Sequence, residues 1–349
     1  MPPEVLLDSR RFGAFPAGVN LTVAMPELPA GTRDVLVEVS ILNAKGPGEV
    51  TLGWDGAAST VLKVAKSKAQ QSATVVAHLD DDGQLRAGIT GGGHLLVRLV
   101  GAFEPAERSA AGRFVAIPPT RVVRLVPRIT GKKVQFAIAK VPRLAEAGPI
   151  SAVLLQVSAD VGPKGGLISA GTSAKKLDQT VFWSATSGSD RIRNGLMFVP
   201  VNAAGTVHLL YQAGTEMRAD VVGYVTGAGA PEAIEGLVIP VPPHKPDAVR
   251  MTAGSSLDVS LDGAAELAKV APERIRAALV TVTAAGETTG GVTVYAADAA
   301  PPKQPTLIAP KGGPRTATVL VQTQNGLVRV DSAVDATVTV TPRALVLGG

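Results

Sequence analysis

Val35-Leu-Val-Glu-Val39, Val153-Leu-Leu-Gln-Val157 and Ala278-Leu-Val-Thr-Val282 are three versions of one phrase. Each is a short apolar strand that runs into a Gly/Pro-rich turn. They recur at a spacing of roughly 120 residues, the length of a small domain. Two further landmarks keep the same order. Gly83, Gly205 and Gly326 each stand between a valine-rich run and a second strand, and double prolines stand at Pro2-Pro3, Pro118-Pro119 and Pro242-Pro243. The chain therefore reads as a tandem array of three units, over residues 1–107, 113–230 and 236–349.

The composition points to one fold class. Of the 349 residues 46% are hydrophobic, but aromatics are only 3%, and 38 Gly and 26 Pro punctuate short Val/Thr runs. Branching at Cβ suits a pleated strand, while frequent Gly and Pro make turns and break helices. Seven or eight short strands per unit predict an all-β chain of three tandem β-sandwich domains, jelly-roll-like in layout. The one helical suggestion, Gly263–Arg276, is interrupted by Pro272 and allows only short turns.

Several function classes drop out. With no Cys there is no disulfide, thiol nucleophile or Cys-bound metal. No apolar run reaches the roughly 18–20 residues of a spanning helix, so no membrane span is expected. A net charge of +5 is spread over scattered pairs such as Arg10-Arg11, Lys132-Lys133 and Lys175-Lys176. That pattern fits ordinary solvated faces or contact with an anionic polymer. Nucleic acid is not expected, since recognition motifs and stacking aromatics are missing.

Catalytic constellations are not visible either. His78, His94, His208 and His244 lie at no metal-ligand spacing from one another. Asp80-Asp-Asp-Gly83 could be a calcium loop, yet the matching positions Ala203-Ala-Gly205 and Gln324-Asn-Gly326 fit only a turn. No metal, cofactor or catalytic residue is expected. Trp54 and Trp183 are the candidate ligand contacts, able to stack on sugar rings if exposed and to fill the core if not.

Some of these phrases resemble a module that recurs in tandem in secreted actinobacterial surface proteins. Val5-Leu-Leu-Asp-Ser-Arg10 and Pro119-Thr-Arg-Val-Val-Arg124 are similar to its opening. Ala278–Val282 with Gly291-Val-Thr-Val-Tyr295 is similar to its middle, and Ala219-Asp-Val-Val-Gly-Tyr224 to its closing strand. Unit 1 has Arg98-Leu-Val-Gly-Ala102 at the closing position, and unit 3 has Ala336-Thr-Val-Thr-Val340, without Gly-Tyr. The resemblance implies a secreted or surface setting and no established catalytic chemistry; Met1-Pro-Pro-Glu leads straight into a strand, as expected of a cytosolic chain or of a mature segment whose signal has been removed.

The termini suggest assembly. Units 2 and 3 each begin with an apolar strand before the double proline, whereas Met1 abuts Pro2-Pro3. Arg343, Ala344, Leu345, Val346 and Leu347 resemble the strand Arg113–Ile117 that enters unit 2. The expectation is that this segment of one molecule completes the sheet around Pro2, Pro3, Val5, Leu6 and Leu7 of the next. Such heterologous β-augmentation gives an open filament if it does not close. The expected function is a non-enzymatic extracellular structural protein that self-assembles head-to-tail. The alternative is an array of carbohydrate- or cell-wall-binding modules.

Overall fold

The phrase that recurs three times forms the same strand each time, the third of a two-sheet sandwich. The computed structural model describes residues 3–53, 58–125, 131–160, 166–185, 192–212 and 216–349. The first sandwich comprises β1 (Glu4–Asp8), β2 (Val19–Val23), β3 (Asp34–Leu42), β4 (Gly48–Leu52), β5 (Ser59–Val64), β6 (Gln70–His78), β7 (Leu85–Ile89) and β8 (His94–Phe103). The second comprises β9 (Phe114–Leu125), β10 (Lys132–Ala137), β11 (Ile150–Asp160), β12 (Gly166–Gly171), β13 (Thr180–Ala185), β14 (Ile192–Pro200), β15 (Thr206–Tyr211) and β16 (Glu216–Thr226). The third begins with a split strand, β17 (Val238–Pro240) and β18 (Val249–Met251). It continues with β19 (Ser255–Ser260), β20 (Ile275–Gly286), β21 (Gly290–Ala296), β22 (Leu307–Ala309), β23 (Arg315–Gln322), β24 (Leu327–Ser332) and β25 (Ala336–Leu347).

In the first sandwich the sheet β1-β8-β3-β6 faces β2-β7-β4-β5. The second repeats this as β9-β16-β11-β14 against β10-β15-β12-β13, and the third as β17/β18-β25-β20-β23 against β19-β24-β21-β22. First-eighth-third-sixth against second-seventh-fourth-fifth, antiparallel throughout, is jelly-roll connectivity. Pro118 and Pro119 are tolerated inside β9 because it is a sheet edge. The helical suggestion resolves into α1 (Asp262–Leu267) and a 3₁₀ turn at Pro272–Arg274. Among the described residues no helix is long and apolar enough to cross a membrane.

The landmark glycines link the sixth and seventh strands. Gly83, Gly205 and Gly326 have φ of +72°, +67° and +72°, a region open to Gly at little cost. Asp80 Oδ1 accepts the Gln84 N–H at 2.7 Å, and Asn202 Oδ1 accepts the Thr206 N–H at 2.8 Å. The acidic run at Asp80 thus builds a turn.

Alternation along the third strand sends Val35, Val37, Val39 and Ile41 into the core of the first sandwich. Their neighbours Leu36, Glu38 and Ser40 point the other way and are nevertheless buried. The cover is the other two sandwiches. Leu36, Leu154 and Leu279, at matching positions of β3, β11 and β20, join one apolar hub with Val76, Phe198 and Leu320 of the sixth strands. The hub holds twelve buried apolar residues drawn from all three units.

Around it the contacts are cyclic. The fifth strand β13 packs on β6, β22 packs on β14, and β5 packs on β23, while the three sixth strands meet one another. Two backbone pairings, Ser184 with Gln71 and Ala185 with Gln70, join sheets of the first and second sandwiches into one of eight strands. One head-to-tail relation, repeated three times, closes into a ring.

The expected free terminal strand is therefore corrected. Residues 343–347 are the second half of β25, the eighth strand of the third sandwich, held between β17 and β20. Leu345 enters that sandwich's own core, and Ala344 and Val346 enter the hub. The likeness to Arg113–Ile117 misleads because strands buried on both faces look alike whatever their place in the sheet. The counterpart of that first strand is β17, which pairs with residues 344–346.

Candidate functional site

The polar side chains of these three outer faces concentrate at the junctions. Each face receives the fifth-strand segment of another sandwich, and one position of the sixth strand holds it every time. Ser72 Oγ accepts the Trp183 N–H at 2.8 Å, Asn194 Nδ2 donates to Pro305 O at 2.8 Å, and Thr316 Oγ1 accepts the Lys63 N–H at 3.3 Å. Side chains at one repeated site thus bind backbone groups, which fixes the register of each contact.

Each junction also carries an arginine. Between the first and second sandwiches, Arg98 donates to Asp178 O and its Nε lies 3.9 Å from Glu38 Oε1. Glu38 accepts from Thr180 Oγ1 at 2.6 Å and from the Val181 N–H at 2.9 Å. Burial pushes its carboxyl above the usual Glu range, against the lowering pull of Arg98 and these bonds. Between the second and third sandwiches, Arg121 forms a two-pronged pair with Asp220 and donates to Gln304 Oε1 at 3.3 Å.

Between the third and first sandwiches, Arg343 donates to Thr60 O at 2.8 Å and to Thr281 Oγ1 at 3.2 Å. Desolvation lowers its pKa to about 10. Glu38, Gln156 and Thr281 occupy the same place in the recurring phrase, so the three junctions share a frame and differ in charge.

Among the hollows that open at these junctions, two adjoin the arginines just described. One of about 500 Å³ lies between Pro118-Pro119 and the Ala300–Gln304 loop. Gln156, at its wall and 7% exposed, has no partner for either amide atom among the described residues. The other, of about 770 Å³, lies between β5 and the Pro243–Ala248 segment and reaches Arg343.

The sequence candidates are scattered. Trp54 and Pro2 lie outside the described residues. Trp183 sits in β13 with the Arg10 guanidinium 5.6 Å from its ring centroid, and Arg10 is held by Asp8 at 2.6 Å. Its ring is thus part-covered, and its buried Nε1 has no acceptor among the described residues. Pro3 precedes β1, Val5 is 40% exposed, and Leu6 and Leu7 pack against the first core. Residues 343–347 pair with β17 and β20 of the same chain.

Among the described residues no cluster of three His, Asp or Glu could hold a metal ion. His78 instead pairs with Asp34 and lies 3.0 Å from Val241 O, and His94 lies 3.4 Å from Ser9 Oγ. The junction residues Glu38, Arg98, Gln156 and Asp220 were not singled out from sequence as a shared set. Their signal was there: a charged or amide residue inside an otherwise apolar run is rarely buried without a partner. Comparison with protein-family models and with curated proteins finds no match.

Proposed function

We propose that the chain is a non-catalytic structural protein of a secreted or cell-surface setting, a rigid three-lobed head. The observation that carries this reading is ring closure. The three equivalent outer faces are spent on one another, which makes a single stiff body and leaves loops and free sheet edges for outside contact. The similarity of Val5–Arg10 and Ala219–Tyr224 to phrases of secreted actinobacterial modules supports the surface setting. Exchange of residues 343–347 between molecules has no part in this reading, because their partners are internal.

Light scattering and negative-stain microscopy test it. The expected result is discrete particles built from compact 35.5 kDa three-lobed bodies. Deleting residues 343–347 is expected to destroy the fold of the third sandwich. Filaments that disappear on this deletion while a folded protein remains would refute the reading.

A further inference from the structure

The junction arginines Arg98, Arg121 and Arg343 differ in one respect that bears on binding. Arg98 has Glu38 beside it, and Arg121 has Asp220. Arg343 is only 7% exposed, yet no carboxylate lies within ion-pair distance among the described residues, and desolvation alone acts on it. A buried charge without a counter-charge is costly, and in proteins such groups are paired. Arg113 is also buried, but its guanidinium is spent on the carbonyls of Glu235 and Pro231 and lines no hollow described above. Arg343 uses Nε and Nη2 on Thr281 and Thr60, and opens onto the hollow of about 770 Å³.

The rest of that wall suits an anion. Thr283, Thr339 and Thr341 are among its lining residues, and Lys63 and Lys245 add positive charge. Lys63 lies 3.7 Å from Glu49, which partly neutralises it, and Asp247 is the acidic member of the lining. The balance remains cationic, with the least hydrated charge at the bottom.

We infer that the hollow between the third and first sandwiches is an oxyanion-binding site, in which a phosphate, sulfate or carboxylate group of the ligand supplies the counter-charge that Glu38 and Asp220 supply elsewhere. A guanidinium suits this role because, with Nε and Nη2 holding it in place, Nη1 is left to donate while the charge stays spread over the whole group. Threonine hydroxyls turn to donate to the remaining oxygens. The site is wide enough for an oxyanion carried on a polymer, so the source is a free anion or a polymer bearing phosphate or carboxylate groups.

Inorganic phosphate, sulfate and acetate are the first probes, titrated calorimetrically at constant ionic strength held with chloride. Short polyphosphate and oligogalacturonate then distinguish phosphate-bearing from carboxylate-bearing polymers. Saturable binding of at least one probe is expected, weakened at least about tenfold by Arg343→Met and less by Lys245→Ala at the rim. Thr341→Asp provides a check that does not remove the arginine. Position 341 corresponds in register to Asp220, so the substitution installs an internal counter-charge and is expected to abolish binding while the melting temperature holds or rises. No saturable binding by any probe, or binding that survives both Thr341→Asp and Lys245→Ala unchanged, overturns the inference.

Discussion

Leu154 and Leu155 are adjacent in β11, both fully buried, and serve different masters. Leu155 faces the core of the second sandwich, and Leu154 faces the hub shared by all three. If the hub makes the chain one cooperative body, Leu154→Ala removes a side chain whose neighbours cannot close the gap without shifting other sandwiches. Such Leu→Ala changes cost about 2–5 kcal/mol through lost transfer energy plus a cavity. With a urea dependence of about 3 kcal/mol/M for a chain of this size, the midpoint falls by about 1 M.

Urea unfolding followed by tryptophan emission and far-ultraviolet dichroism measures this. One transition is expected, coincident in both signals and displaced as a whole. The double variant Leu154→Ala/Leu279→Ala tests the hub directly, since two members of one cluster should deviate from additivity by about 0.5 kcal/mol or more. Leu155→Ala with Val280→Ala, which face separate cores, should be additive. Separate transitions, with Leu154→Ala moving only one of them, would show independent beads and refute the argument.

Three further outcomes follow from local geometry. A Cβ at Gly223 would lie 2.8 Å from Leu320 Cδ2 and 2.8 Å from Val115 O, while one at Gly101, the matching residue of β8, meets nothing within 4 Å. Gly223→Ala is therefore expected to cost about 1–3 kcal/mol and Gly101→Ala less than about 0.5 kcal/mol, read from thermal unfolding. Because burial raises the Glu38 pKa above 4.5, the folded state holds more protons than the unfolded state just above that pH, and stability falls as pH rises there. The stability of Glu38→Gln relative to the parent should stay flat below pH 4.5 and increase above it; urea midpoints across pH check this, and a decreasing difference contradicts it. Arg10→Ala uncovers Trp183 and should shift its emission to the red at a cost of about 0.5–1 kcal/mol, measured in a Trp54→Phe background.

Much of the architecture was written in the repeats. The phrase at Val35, Val153 and Ala278 marked one strand of each sandwich, and Gly83, Gly205 and Gly326 marked turns whose positive φ the structure bears out. What stayed hidden was the second buried face. Val-Leu-Val, Val-Leu-Leu and Ala-Leu-Val are continuous apolar runs, and a strand that is apolar at successive positions is covered on both sides. Read only for alternation, they show the sandwich core and miss the hub. The role of residues 343–347 was hidden for the same reason, since nothing local distinguishes a first strand from an eighth. Trp183 was ambiguous because its cover, Arg10, is far away in sequence.

Ring closure within one chain also explains why the junctions are not alike. In a symmetric homotrimer one residue would stand at all three equivalent positions, so a charge chosen for one contact is imposed on every contact. Covalent fusion lifts that constraint. The position two residues after the hub leucine can be Glu38 where an incoming strand offers a backbone N–H, Gln156 beside an open hollow, and Thr281 where it accepts from an arginine. The hub leucines face the same demand in all three sandwiches and stay the same, while the polar position beside them answers to a different neighbour each time. Arg343, which has no carboxylate beside it among the described residues, stands at a junction that the apolar hub shared by all three sandwiches also supports.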